Sequence, residues 1–230
     1  MPTFNQSDHI ADVLATLKAQ TFQNFELIVV FDGGDYDRSM GLVRDHGTIG
    51  CGWPKLLVLQ LNTGTASALN HGFQLARGRF LTWVSSDNEM HTDYLETLLG
   101  FLVEDQSYDA VYSFYTLQPG VIKNGKWMKT GKGGVVGNPY EKDVWITGHG
   151  FHLGVAFLFT REFYDLVGPD RGGISHDYDW WMRAEEVGKI GTVKRSLATY
   201  RVHDQRTTVL RDDEKDADYW MMVARDRRGL

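Results

Sequence analysis

The sequence predicts an α/β protein: a single-domain, Rossmann-like α/β/α sandwich with a mostly parallel central sheet and a small antiparallel part. Three observations carry this. Short β-branched runs alternate with segments of helical apolar spacing through the first half of the chain. The runs are apolar throughout, as strands are when both faces of a sheet are covered. Three strand ends carry polar or glycine-rich clusters: Asp32-Gly33-Gly34, Asn62-Thr63-Gly64 and Ser86-Asp87-Asn88. In open parallel sheets ligands sit beyond the carboxyl ends of the strands. Each cluster alone is as consistent with an ordinary turn; three at one edge are not.

Taken in order, residues 8–20 place Ile10, Val13, Leu14 and Leu17 at helical spacing, with Ser7 or Asp8 as the cap. Phe25 to Phe31 is a strand that stops at the turn Asp32-Gly33-Gly34-Asp35. Leu56 to Leu61 is a second strand, and Ala66 to Ala76 a helix closed by Gly78. Phe80 to Val84 reads as a buried strand, Tyr94 to Val103 as a helix and Ala110 to Tyr115 as a strand. Lys123 to Tyr140, rich in glycine and lysine, reads as a long loop or loose hairpin, either a lid or plain exposed chain. Phe151 to Thr160 is strand-like, Tyr178 to Val187 helical, and Ile190 to Tyr200 extended. A charged helix spans Asp212 to Arg228. The expected organisation is one domain over 1–210, with a first half 1–115 and a second half 116–210, followed by the helix at 211–230.

Composition narrows the function classes. The 230 residues, 42% hydrophobic, suffice for one well-buried core. A net charge of −6 argues against a nucleic-acid binder, which would present a basic face. The one cysteine, Cys51, allows no internal disulfide and fits a reducing compartment. No apolar run reaches the roughly 18 residues needed to span a bilayer. The expected location is cytoplasmic, with peripheral membrane association open. Aromatics make up 13%, enough both to fill a core and to stack on a sugar ring.

Six elements then fall in a telling order. They are Pro2-Thr3-Phe4-Asn5; Phe31-Asp32-Gly33-Gly34; Asn62-x-Gly64 with Asn70; Ser85-Ser86-Asp87-Asn88; His176-Asp177-Tyr178 followed by Trp180-Trp181; and Tyr200-Arg201-Val202-His203. In this series the chain resembles the family 2 glycosyltransferases, whose fold is the A type of that enzyme class. The resemblance runs from Pro2 to about His203.

The resemblance implies a role for each element. Pro2, Thr3, Phe4 and Asn5 would cradle the base and ribose of a nucleotide-sugar donor. Asp32 survives from the family's acidic pair and would accept a hydrogen bond from a uracil or guanine ring; Phe31 replaces the other acid. Asn62, Gly64 and Asn70 would approach ribose and diphosphate, with a structural hydrogen bond the plainer reading of Asn70. Ser85 and Ser86 would join the donor-binding set, Ser85 standing where the first acid of the Asp-x-Asp metal motif lies. Asp87 is the second acid and would hold Mn2+ or Mg2+. One carboxylate suffices when phosphate oxygens and water complete the shell. His203 would add a ligand, imidazole suiting manganese better than magnesium. Asp177 matches the catalytic base, and is also placed as a helix cap. His176, Trp180 and Trp181 are candidates for acceptor binding, with at least one tryptophan expected in the core.

The implied activity is metal-dependent, inverting transfer of a hexosyl-type sugar. The donor would be a nucleotide-diphosphate sugar, UDP favoured, and the acceptor a hydroxyl on a glycan, a lipid-linked species or another molecule. The alternative is a catalytically degenerate sugar-nucleotide-binding module. A nucleotidyltransferase of related fold is disfavoured, because the start lacks a glycine-rich basic loop. One departure stands out: the family has an apolar central strand ahead of the Pro-x-aromatic-Asn stretch, and here Met1 alone precedes it. Truncation, a residual strand or compensation elsewhere are the alternatives.

Overall fold

A computed structural model describes residues 1–34, 36–48, 55–141, 153, 155–173 and 176–203. The helix expected at 212–228 lies outside these, as do Asp35 and the first residues of the run beginning at Phe151. The predicted α/β class holds. A parallel three-stranded sheet has the order β1-β2-β3, from Pro2–Thr3, Leu27–Phe31 and Lys55–Leu59. A second sheet runs β4-β9-β6-β10-β5, from Phe80–Leu81, Phe157–Thr160, Ala110–Lys123, Ile190–Val202 and Glu89–Met90. Strands β7 (Lys126–Lys129) and β8 (Gly134–Val136) both add to β6. In the second sheet β6 and β10 are parallel and the other pairs antiparallel.

Six helices lie among the described residues: α1 (Ile10–Lys18), α2 (Tyr36–Thr48), α3 (Thr65–Leu75), α4 (Tyr94–Glu104), α5 (Arg161–Val167) and α6 (His176–Val187). In α1 the apolar stripe Ile10, Val13, Leu14 and Leu17 is buried, as its spacing requires. The cap position of α1 is His9, not Ser7 or Asp8, and no side chain bonds there as a cap. Helix α3 ends at Leu75 and Ala76 is already extended, so Gly78 is not its cap. Instead the Gly78 amide donates to Glu26 Oε1 at 3.0 Å, and its carbonyl accepts from Arg161. Helices α2 and α5 have no counterpart in the sequence reading. The start of α5 is marked by Thr160, whose hydroxyl accepts from the Phe163 amide at 3.2 Å.

The strand expected at Phe80–Val84 forms ladder bonds only over Phe80–Leu81, against β9. Its other edge is unpaired among the described residues, and no ladder joins the two sheets. A cavity of about 750 Å³ separates them, lined by Met1, Ile28, Gly72, Phe80, Trp83 and Tyr94, among others. This is the position an additional central strand would take. Strand β1 holds to β2 through its two paired residues and through the Met1 amine, which donates to Ile28 O at 2.8 Å.

Candidate functional site

Three chain segments meet at the carboxyl end of the first sheet. The turn after β2 is left-handed at Gly33 and Gly34, with φ of 80° and 73°, a region glycine enters freely. Gly34 closes against Asn5 and Phe4, so the segment after β1 and the turn after β2 touch. Gly33 backs onto Asn62. Asp32 binds the third segment. Its Oδ1 accepts from Gln60 Nε2 at 2.7 Å and the Thr63 amide at 2.9 Å, and its Oδ2 accepts from the Gly64 amide at 2.9 Å. Gly64, at φ 94°, makes the turn into α3. Thr3 is buried with its hydroxyl unpartnered, and Phe4 is exposed.

The turn after β4 is held from below. Ser86 and Asn88 are buried, and Asn88 Oδ1 accepts from the Arg201 amide at 3.1 Å. Strand β10 reaches this turn by pairing with β5, Thr199 opposite Glu89. Two register shifts along its pairing with β6 add the bend that irregular ladders produce. Arg201 is buried and its guanidinium ties Glu89 to Asp12 of α1, the latter at 3.0 Å. The result sets His203 Nε2 3.6 Å from Asp87 Oδ2.

A second imidazole lies behind the first. His9, just ahead of α1, packs on His203 with ring centres 4.6 Å apart and planes tilted by 31°. Both rings are buried, His9 to 1% exposure, and none of their four nitrogens has a hydrogen-bond partner. Burial first, and His203 second, hold the His9 pKa below the ordinary imidazole value. Unpaired buried nitrogens are costly. Beside the part-exposed Asp87 carboxylate, the nearer His203 nitrogen makes a pair of the kind a transition-metal ion accepts. No three His, Cys, Asp or Glu side chains among the described residues converge on a ready-made ion site. An ion there would take its remaining ligands from phosphate oxygens and water.

Helix α6 carries the remaining candidates. It is anchored by the buried pair Arg183 Nε–Asp179 Oδ2 at 3.0 Å, and Arg183 also donates to the Val167 and Pro169 carbonyls. The Trp180 indole donates to Gly168 O at 3.0 Å. The helix starts at His176, so Asp177 lies in the first turn, its Oδ1 accepting from the Tyr178 amide at 3.0 Å. His176 Nδ1 is 2.5 Å from Asp170 Oδ2. Asp170 in turn is bridged to Asn70 of α3. The Asn70 amide group donates to Asp170 O at 2.8 Å and accepts from Asp170 N at 2.9 Å. The loop before α6 is thereby fastened to the helix that follows the second strand-end cluster.

Residues 1–168 match the family model described as glycosyl transferase family 2. The chain belongs to this family. Among curated proteins it is similar to an uncharacterized glycosyltransferase of Rickettsia typhi, 25% identical over 90% of this chain and 64% of that protein. It is also similar to the amylovoran biosynthesis glycosyltransferase AmsB of Erwinia amylovora, 27% identical over 88% of this chain and 68% of the other. Among solved structures, the mannosyltransferase PcManGT of Pyrobaculum calidifontis, in complex with GDP-Man and Mn2+, superposes with a TM-score of 0.73 at 17% identity. It covers 98% of this chain and 62% of that one. TarS 1–349 of S. aureus, in complex with UDP-GlcNAc, gives 0.68 at 15%, covering 97% and 64%. The chain thus spans a little under two thirds of these solved structures and of the Rickettsia protein.

For this family 2 glycosyltransferase the structure changes several assignments. Trp180 and Trp181 are 2% and 1% exposed and pack against Trp83, Phe157 and Phe159. Neither offers a face to an acceptor; both belong to the core. Three of the roughly four acceptor sites on the Asp32 carboxylate are taken by the 60–64 segment, so Asp32 organises that loop before any contact with a base. Asn70 makes the structural bridge to Asp170, the plainer of its two expected roles. His9 was missed by sequence reasoning. It stands at the cap position ahead of α1 with no motif around it, and only its contact with His203 marks it.

Proposed function

We propose that this chain transfers a sugar from a nucleotide-diphosphate donor to a hydroxyl acceptor, with inversion at the anomeric carbon. The observation that carries this is the approach of Asp87 to His203, whose ring nitrogens are buried without a hydrogen-bond partner. The donor's base and ribose lie along Pro2 to Asn5 and the Asp32 turn. Its diphosphate lies toward Asn62, Gly64 and Ser85. Asp87 and His203 would hold a divalent ion, Mn2+ favoured over Mg2+ by the imidazole. Bound there, it would supply positive charge to offset the negative charge growing on the leaving diphosphate. Asp177 takes the proton from the acceptor hydroxyl as its oxygen bonds to the anomeric carbon and the bond to the diphosphate breaks. His176, oriented by Asp170, flanks the acceptor. Solved structures of this fold bound to UDP-GlcNAc and to GDP-Man with Mn2+ support a nucleotide-sugar donor.

A thermal-shift screen of UDP- and GDP-sugars with and without Mn2+ tests this. A manganese-dependent rise in Tm for one nucleotide class is expected. No shift with any nucleotide would sink the donor assignment. A shift without sugar release in a turnover assay would leave a binding module, the reading to which Ser85 in place of an acid lends weight.

A further inference from the structure

We propose that the β6–β7 hairpin docks the protein on an anionic lipid surface. Residues 117–136 contain Lys123, Lys126, Lys129 and Lys132 and no acidic residue, in a chain whose net charge is −6. Pairing decides where these side chains point. Val121 is opposite Met128, and Lys123 opposite Lys126. Alternate residues of a strand share a face, and directly opposed residues share the same face. Val121, Lys123, Lys126 and Met128 therefore form one surface of the ribbon. Gly120, Ile122, Trp127 and Lys129 form the other.

The two faces have different environments. Trp127 covers Gly120 and receives the Arg201 guanidinium 4.8 Å from its ring centre, which fixes its side of the ribbon to the body of the protein. The opposite surface is open: Met128 is 51% exposed, Val121 39%, and both lysines are exposed. Apolar side chains flanked by cations, projecting from a ribbon, match a bilayer interface. Anionic headgroups meet the ammonium groups, and the aliphatic tips enter the acyl boundary. A soluble polyanion would use the lysines but gain nothing from Met128 and Val121, so a membrane is the favoured occupant. The anchoring residue Arg201 lies two positions before His203. Docking through this ribbon therefore holds the candidate site close to the lipid surface.

Co-sedimentation of the full chain with vesicles tests this. Phosphatidylcholine vesicles should leave it in solution, and vesicles containing phosphatidylglycerol should sediment it, less so at high salt. Each lysine near such a surface contributes about fivefold. Lys123→Glu/Lys126→Glu should therefore weaken binding by more than tenfold. Val121→Ser/Met128→Ser, which keeps the charge, should weaken it several-fold. All four positions are exposed, so an unchanged Tm in each variant verifies that the fold is intact. Equal binding to both vesicle types would overturn the proposal. So would binding that ignores Val121→Ser/Met128→Ser and is fully competed by soluble polyphosphate, which would make the ribbon a polyanion site. The result is independent of donor binding and of turnover.

Discussion

His203 Nε2 stands 3.6 Å from Asp87 Oδ2, which joins the end of β10 to the turn after β4 across more than a hundred residues of chain. Ser85 leaves that turn without the acid that usually opens the family's Asp-x-Asp motif. The buried His203 imidazole stands beside the acid that remains. In the proposed site a carboxylate from one strand end and a ring nitrogen from another would stand in for two neighbouring carboxylates, a pair that suits manganese better than magnesium.

Asp87→Ala should therefore reduce manganese-dependent binding of the nucleotide donor by at least ~100-fold, the upper range seen even for indirect support of a metal site. Calorimetry with and without Mn2+ reads this directly. Unchanged binding would remove Asp87 from the metal site.

His9→Phe separates a structural from a functional imidazole. An apolar ring of similar shape removes two orphaned nitrogens, each of the kind that costs about 1–3 kcal/mol when buried unpaired. The metal-free variant should gain Tm, at about 2–4 °C per kcal/mol for a chain of this size. A lower Tm would mean that the His9 nitrogens are satisfied in solution.

Asp177→Asn should leave donor affinity within twofold of the parent, roughly, and cut kcat by 10²–10⁴, the range for loss of a positioned base. Single-turnover assays with saturating donor would resolve it. Retained turnover would take Asp177 out of the mechanism.

Trp181→Ala should lower stability by about 3–5 kcal/mol, as for a large aromatic lost from a packed core. In the fraction that remains folded, acceptor KM should not change. A raised acceptor KM with an unchanged Tm would restore the stacking role that its burial excludes.

Five apolar, β-branched residues fused ahead of Met1 would span about 16 Å as a strand, enough to enter the cavity between β2 and β4. Such a fusion should raise Tm by several degrees. The same extension carrying a central proline, which cannot donate to a ladder, should not. Equal Tm for the two fusions would show that the cavity does not accept a strand.

The alternation of strands and helices, the buried stripe of α1 and the polar clusters after β2 and β3 were legible because each depends on local periodicity and turn chemistry; Ser86–Asn88 instead lies in a turn several residues past β4, in the other sheet. So was the series of motifs, since the family's elements keep their order along the chain. Helix α2 was not, because its residues are largely polar and present no long apolar stripe. The strand Ala110–Tyr115 was read too short: β6 continues to Lys123, past Pro119 and Gly120, because β7, β8 and β10 supply its ladder partners.

By itself the sequence determined which residue types stand at each strand end, that Asp87 and Asp177 are present, and that one acid of the metal motif is a serine. The tertiary structure decided which of these act together. Pairing of β10 with β5 brings His203 to Asp87, and packing brings His9 to His203. Asp170 reaches both Asn70 and His176, and both tryptophans of α6 turn into the core. Contacts of this kind join residues distant in sequence, and they depend on sheet register and side-chain packing, which no local pattern encodes.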